Sequence, residues 1–435
     1  RTAFNLNNKQ EGLAVVFKEA EVVFNAIHLP ALTRDEVKVF IENYVENERR
    51  NPFDFSKAPL WRGTLFICNG FTCFMLQCHH AILDGWSVAS LVTELNNICH
   101  SISNFKRIPE YLPLKASYKD FIIENLVQKR GDNHSGFWRN ELTGYKRLDI
   151  FSEESHIERV TKTYPKALLE AVKNKVAGDK IALKTVFLAT YILALKQFTY
   201  EDEVTVGLNT NARPSTEDGD KVLGCFLNTI PVRVVFDDSK TSLKTYVAAI
   251  EQKLFDLKER EKTTLHDIAQ IVGEKAGTMN PFFDCLFSFT NFHVYDELTE
   301  GFSEANTLDS LEVDDSFFRS YAVTNTYLSF FLDVTADKLT ITYLASRKFK
   351  SGKQLPDFIW CVENILNAFV NAYESPIDSV NGMREYDLPQ TNAFKNTEKK
   401  YHTNQTVLDL IKEQTKLTPK KKTLKFEEED INYKK

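Results

Sequence analysis

The chain has 435 residues, of which 43% are hydrophobic and 26% charged, with a net charge of −6. This is the composition of a globular protein too long for one ordinary core, so two lobes are expected. The acidic balance and scattered basic residues exclude a general nucleic-acid binder. No run of eighteen apolar residues and no signal-peptide pattern is present, and the expectation is a soluble, cytosolic protein with no membrane association. The seven cysteines form no CxxC pair and lie mostly in apolar stretches, as free thiols in a reducing compartment do.

In chain order, the opening "RTAFNLNNKQEGLAVVF" lacks an initiator methionine and reads as a piece excised from something longer. Residues 12–17 and 61–68 read as strands, and "NG" at 69–70 signals a tight hairpin into a second strand that ends at His79. Beyond Gly85, Val88, Leu91, Val92, Leu95 and Ile98 recur at helical spacing. Two amphipathic helices are expected within 117–145, with Tyr118 and Asp120 as packing and capping residues at a helix start. The polar stretch 151–162 reads as a crossover between lobes. There follow a helix at 183–198, strands at 203–210 and 225–236, a helix at 241–261, strands at 283–291 and 327–344, and a helix at 357–373. The alternation predicts an α/β architecture in two lobes. Residues 386–405 lack periodicity and read as a linker, and 406–435 offer one short helix and one strand, too little to fold alone.

The candidate chemistry lies in "CFMLQCHHAILDGWSVASL", residues 73–91, at a strand–loop–helix junction. Neighbouring strand residues point to opposite faces, so His79 and His80 do not readily share a metal ion, and no HExxH or Cys/His spacing supplies further ligands. The asymmetry suggests one ring anchoring the turn and the other in a cleft. There it could take a proton from an attacking amine or hydroxyl, or hydrogen-bond a tetrahedral intermediate. Asp84 follows after a turn, and Gly85 would permit backbone geometry closed to other residues. With no GxSxG elbow, the residues point to direct acyl transfer between two bound substrates. A structural pair, one ring buried and one exposed, is the competing reading. His266 and His293 read as structural or surface residues.

"HHAILDGWS" resembles the HHxxxDG signature of condensation domains of nonribosomal peptide synthetases, in the chloramphenicol-acetyltransferase-like superfamily. Further landmarks follow in order. "RTAF" (1–4) resembles the end of LRTxF, "YKDF" (118–121) resembles YxDY, "VLGCFLNTIPVR" (222–233) is similar to GxFxNTxPxR, and "NPFFDCLFSFTNF" (280–292) resembles NPLFDxxFxxxNxP. The likeness covers roughly residues 1–385, and the stretch from Thr406 to Phe426 is similar to the opening of an adenylation domain.

The resemblance implies two chloramphenicol-acetyltransferase-like lobes, 1–155 and 156–385, in a V-shaped pseudo-dimer around a central channel. It implies an upstream donor and a downstream acceptor carrier protein, each bringing its thioester on a phosphopantetheine arm, with no cofactor or metal bound by the domain itself and an adjoining adenylation domain. It assigns His80 to positioning the amine or acting as base, and His79 to structure. Asp84 would pair with an arginine of the other lobe, Arg213 by position or Arg233 failing that. Gly85 would keep the backbone close, and Trp86, Ser87 and Asn228 would line the channel, although Asn228 also reads as a satisfied strand asparagine. Trp86 before Ser87 favours condensation over epimerisation, and the DxxxxD pattern of cyclisation domains is absent. Two alternatives stand beside amide formation: an ester-forming acyltransferase of the same superfamily, and a non-catalytic docking domain.

Overall fold

The computed structural model describes residues 1–5, 13–131, 134–214, 216–237, 240–274, 280–291, 325–380, 397, 405–426 and 429–432. Arg1–Gly382 form one compact unit and Met383–Lys435 a second. The second unit contributes helix α10 (Val407–Leu417) and an antiparallel hairpin of β12 (Lys422–Phe426) and β13 (Glu429–Asn432). The linker expected at 386–405 falls almost wholly outside the described residues, as do Phe292 and His293. No described helix is long and apolar enough to cross a membrane.

In the first unit, β1 (Thr2–Asn5) and β2 (Leu13–Val16) pair antiparallel. A three-stranded sheet then forms from β3 (Phe24–Leu29), β4 (Trp61–Cys68) and β5 (Thr72–Cys78), with β3 parallel and β5 antiparallel to β4. Cys68 N–H donates to Phe71 O, which leaves Asn69 and Gly70 as the two-residue loop. Gly70 takes φ +84°, open to glycine without steric cost. Helix α1 (Arg34–Arg49) starts at a Thr33–Glu36 capping box and lays Val37, Phe40 and Tyr44 against Phe66. β5 delivers the chain to the histidine pair. Helix α2 (Gly85–Phe105) leads away from it, followed by α3 (Tyr118–Arg130) and α4 (Ser135–Leu142). Asp120 does cap α3, its carboxylate accepting from Ser117 N–H and hydroxyl.

The main core surrounds a six-stranded sheet in the order β6 (Phe151–Tyr164), β11 (Leu339–Phe349), β10 (Leu328–Asp333), β9 (Cys285–Thr290), β7 (Glu203–Asn211), β8 (Leu227–Val235). Helices α5 (Lys166–Ala177), α6 (Leu183–Thr199), α7 (Leu243–Lys258), α8 (Leu265–Val272) and α9 (Leu355–Asn371) complete the unit. α6 is apolar nearly all round and correspondingly buried. Its Tyr191 packs 5.0 Å from Phe330 and donates to Leu328 O. β8 is a sheet edge. Phe236 N–H bonds inward to Asp202 O, so by strand parity Pro231 faces outward, where its missing N–H costs no ladder bond.

The stretch 151–162 is a correction to the sequence reading. It forms no crossover but most of β6, a 14-residue edge strand, and the expected lobe boundary at 155/156 falls inside it. Three glutamates, Arg159 and Lys162 along an exposed strand disguise it as a loop, yet charge is what keeps a sheet edge from pairing with another chain. Thr161 and Thr163 pair across to Thr342 and Thr340, at 3.0 and 3.3 Å. Residues 327–344 likewise resolve into two strands, β10 and β11.

Candidate active site

The site begins where β5 stops. His79 N–H still bonds to Leu60 O, which extends the β4–β5 pairing by one residue. The His79 ring is half-buried 4.2 Å from the Phe55 ring, and its Nδ1 accepts from Ala81 N–H. Burial, with the neighbouring His80 adding to it, pushes the His79 imidazole below its ordinary value, so the neutral form that Ala81 needs is favoured. His80 is exposed, and its ring makes no hydrogen bond among the described residues. One ring of the pair is thus built into the turn and the other is presented outward.

Asp84 is the N-cap of α2, at φ −87° and ψ 175°, and is 1% exposed. Its Oδ1 accepts from Ser87 N–H at 2.7 Å and from Arg213 Nη2 at 2.9 Å, and its Oδ2 accepts from Phe226 N–H at 3.0 Å. Two backbone N–H groups and the guanidinium thus satisfy both carboxylate oxygens. Arg213 arrives on the segment after β7. It also donates to Val222 O at 2.6 Å and lies 4.3 Å from the centre of the Phe226 ring. Arg233 pairs elsewhere, with Glu203 at 2.9 Å.

Three expected site residues have other surroundings. Ser87 is fully buried and faces the backbone of Gly224. Its Oγ donates to Gly224 O at 2.8 Å and accepts from Gly224 N–H at 3.0 Å and Arg213 Nη2 at 2.6 Å, so its hydroxyl is sealed into protein and is not available to line a channel. Gly85 is the first residue of α2 and is not among the positive-φ glycines, so its backbone needs no glycine. Asn228 donates both amide hydrogens, to Glu261 O at 2.8 Å and Thr263 O at 2.7 Å, which ties β8 to the chain beyond α7. Trp86 is half-buried and its Nε1 donates to Asp220 O at 2.8 Å. Backbone carbonyls of residues 220, 222 and 224 therefore carry much of the site's architecture. A carbonyl has no sequence signature, and the only clue is the glycine in "VLGCF".

The late motif is also tied down. Asp284 holds Arg147 through Oδ1 and Oδ2, the latter at 2.8 Å, and Arg147 Nη1 donates to Asn280 O at 2.6 Å. Asn280 Nδ2 donates to the backbone carbonyl of Asn325 at 3.1 Å, and Asn325 Nδ2 donates to Asn280 Oδ1 at 2.9 Å. This segment secures the start of β9 to the irregular chain leading into β6. It is framework.

An outward imidazole on a turn locked by a neutral, buried Asp–Arg–Ser cluster can orient and deprotonate a nucleophile presented to it. The comparisons with known proteins agree in family. A model described as "Condensation domain" matches residues 1–387, and the chain therefore belongs to the condensation-domain family. It is 22% identical over 452 residues to bacitracin synthase 3 of Bacillus licheniformis, an alignment that covers 100% of this chain but 7% of that protein. The chain thus spans only a small part of the length of the curated relatives it matches. A four-domain nonribosomal peptide synthetase bound to AMP and glycine superposes with a TM-score of 0.71 at 14% identity, over 100% of this chain and 33% of that one. The X-domain from teicoplanin biosynthesis, in its complex with OxyB, gives 0.69 at 15% identity, over 88% of this chain and 84% of that one. The fold is the mixed α/β fold of condensation domains.

Proposed function

We propose that the chain forms peptide bonds in nonribosomal synthesis. The amine of an acceptor aminoacyl group attacks the thioester of a donor acyl group, each borne on the phosphopantetheine arm of a carrier protein. A C–N bond forms, the C–S bond breaks, and the donor arm leaves as a thiolate that takes up the proton lost by the amine. His80 orients the amine and accepts that proton on its way. Asp84 and Arg213 hold the turn, and His79 fixes its start. The observation that carries this reading is the contrast at the pair. His79 is hydrogen-bonded into the turn, while His80 is presented outward beside a rigid, charge-neutral base. The seven cysteines are free thiols, which supports a reducing, cytosolic setting.

Mass measurement of both carriers after mixing them, loaded, with the chain tests the reading. Transfer of the donor group onto the acceptor arm supports it. Transfer to a hydroxyl acceptor or to coenzyme A alone would favour an ester-forming relative. A recruitment domain is the second reading, favoured by the likeness to the X-domain in complex with OxyB. Carrier or partner binding without transfer would decide for it.

A further inference from the structure

Residues 224, 225 and 226 are each held by a different side chain from the start of α2 or α3, Asp84 being the N-cap of α2. Gly224 meets Ser87 through both its N–H and its carbonyl. Cys225 O accepts from Tyr118 Oη at 2.9 Å, and Phe226 N–H donates to Asp84. Gly224 O takes a second bond from Asp84 N–H at 3.0 Å. The Tyr118 ring closes over Gly224 so tightly that a Cβ there would lie 2.3 Å from Tyr118 Cδ2 and 2.5 Å from Cε2. The same ring packs edge-on to Phe226 at 5.1 Å. Burial, with Cys225 and Asp84 adding to it, pushes the Tyr118 phenol up to about 12, so it remains a hydrogen-bond donor across the working pH range.

We propose that Tyr118 and Ser87 are positioning residues whose two hydroxyls bolt the Gly224–Cys225 backbone onto the starts of α3 and α2, and thereby fix where the His80 turn sits against the β7–β8 half of the unit. The inference rests on the reading in which His80 acts on a bound amine. The turn from His79 to Asp84 is tied at one end to Leu60 O and at the other to this backbone, so its placement depends on both anchors. Both hydroxyls are engaged by protein backbone. Their loss is expected to act through geometry, where a displacement of about 1 Å can cost about a hundredfold in rate.

The test compares Tyr118→Phe, which keeps the ring over Gly224, with Tyr145→Phe, which removes a similar hydroxyl bonded to Pro281 O far from this contact in sequence. Amide exchange over residues 222–227 is followed by mass spectrometry, and transfer between loaded carriers is measured as kcat and KM. Tyr118→Phe is expected to speed exchange over 222–227 about tenfold and lower kcat about tenfold, with KM for either carrier within about twofold. Tyr145→Phe is expected to do neither. Adding Ser87→Ala to Tyr118→Phe should lower kcat by less than the product of the single effects, because both act on one segment. Unchanged exchange in Tyr118→Phe overturns the inference. Faster exchange with the kcat of Tyr145→Phe also overturns it, leaving a purely structural bond. Absence of transfer by the unaltered chain would defeat the functional reading alone, since exchange reads the bolt without any activity.

Discussion

Arg213 and Asp84 stand 129 positions apart in the chain, yet Arg213 Nη2 lies 2.9 Å from Asp84 Oδ1, with side chains only 8% and 2% exposed. Removing one member strands a buried charge, whereas removing both strands none. Arg213→Ala or Asp84→Asn should each cost about 3–5 kcal/mol, and the double variant clearly less than the sum. Denaturant midpoints of the three variants check this. Strict additivity would mean that the pair is not coupled.

Asn228 faces two backbone carbonyls with its amide, so its contribution is expected in stability and not in choice of substrate. Asn228→Ala should lower stability by about 1–3 kcal/mol by leaving Glu261 O and Thr263 O without these donors. The preference between two competing donor thioesters should stay as it was. A changed preference at unchanged stability would return Asn228 to the substrate.

His79 makes the fold sensitive to acid. Burial lowers its pKa in the folded state from the ordinary 6.5, so below that value the unfolded chain binds the proton more readily than the folded one. Its contribution is complete above pH 6.5 and is lost as pH falls through the depressed folded value. His79→Asn, which can still accept from Ala81 N–H through Oδ1, should flatten the fall of melting temperature below pH 6.5 relative to the unaltered chain. Parallel curves for the two proteins would remove His79 as the source.

The late "NPFFD" motif should behave as framework. Phe283 lies so close over Gly207 that a Cβ there would come 2.3 Å from Phe283 Cε2. Gly207→Ala is therefore expected to cost about 1–3 kcal/mol through overpacking, and Phe283→Leu in the same chain to recover part of it. Thermal melts of the single and double variants measure this. No recovery would locate the strain elsewhere.

The sequence is most informative where local physics governs. The "NG" loop, the apolar α6 and the change from strand to helix spacing at Gly85 are all visible without coordinates, because turn geometry and burial period are written in residue type. Residue type misleads where context overrides it. β6 carries the charges of a protected edge and resembles a crossover. On α2 the fully buried residues are Ser87, Ala89 and Thr93, while Leu95 of the apolar series is 38% exposed. At Ser87 the small side chain lies inward because the Gly224 backbone approaches within hydrogen-bond distance. That same approach seals Ser87 away from the channel role expected of it. The pairing of Asp84 with Arg213 is legible only through family resemblance, since nothing local links positions so distant in the chain.

Whether His80 acts on a carrier-bound amine is read by single-turnover transfer between two loaded carrier proteins, with the unaltered chain run beside His80→Ala. Because His80 is exposed, the substitution should leave stability within about 0.5 kcal/mol, so a lost rate cannot be blamed on the fold. With the unaltered chain the donor mass is expected to move onto the acceptor arm, and His80→Ala is expected to slow this by about a hundredfold or more. Equal transfer by both proteins would contradict this expectation and leave His80 without a part in the chemistry.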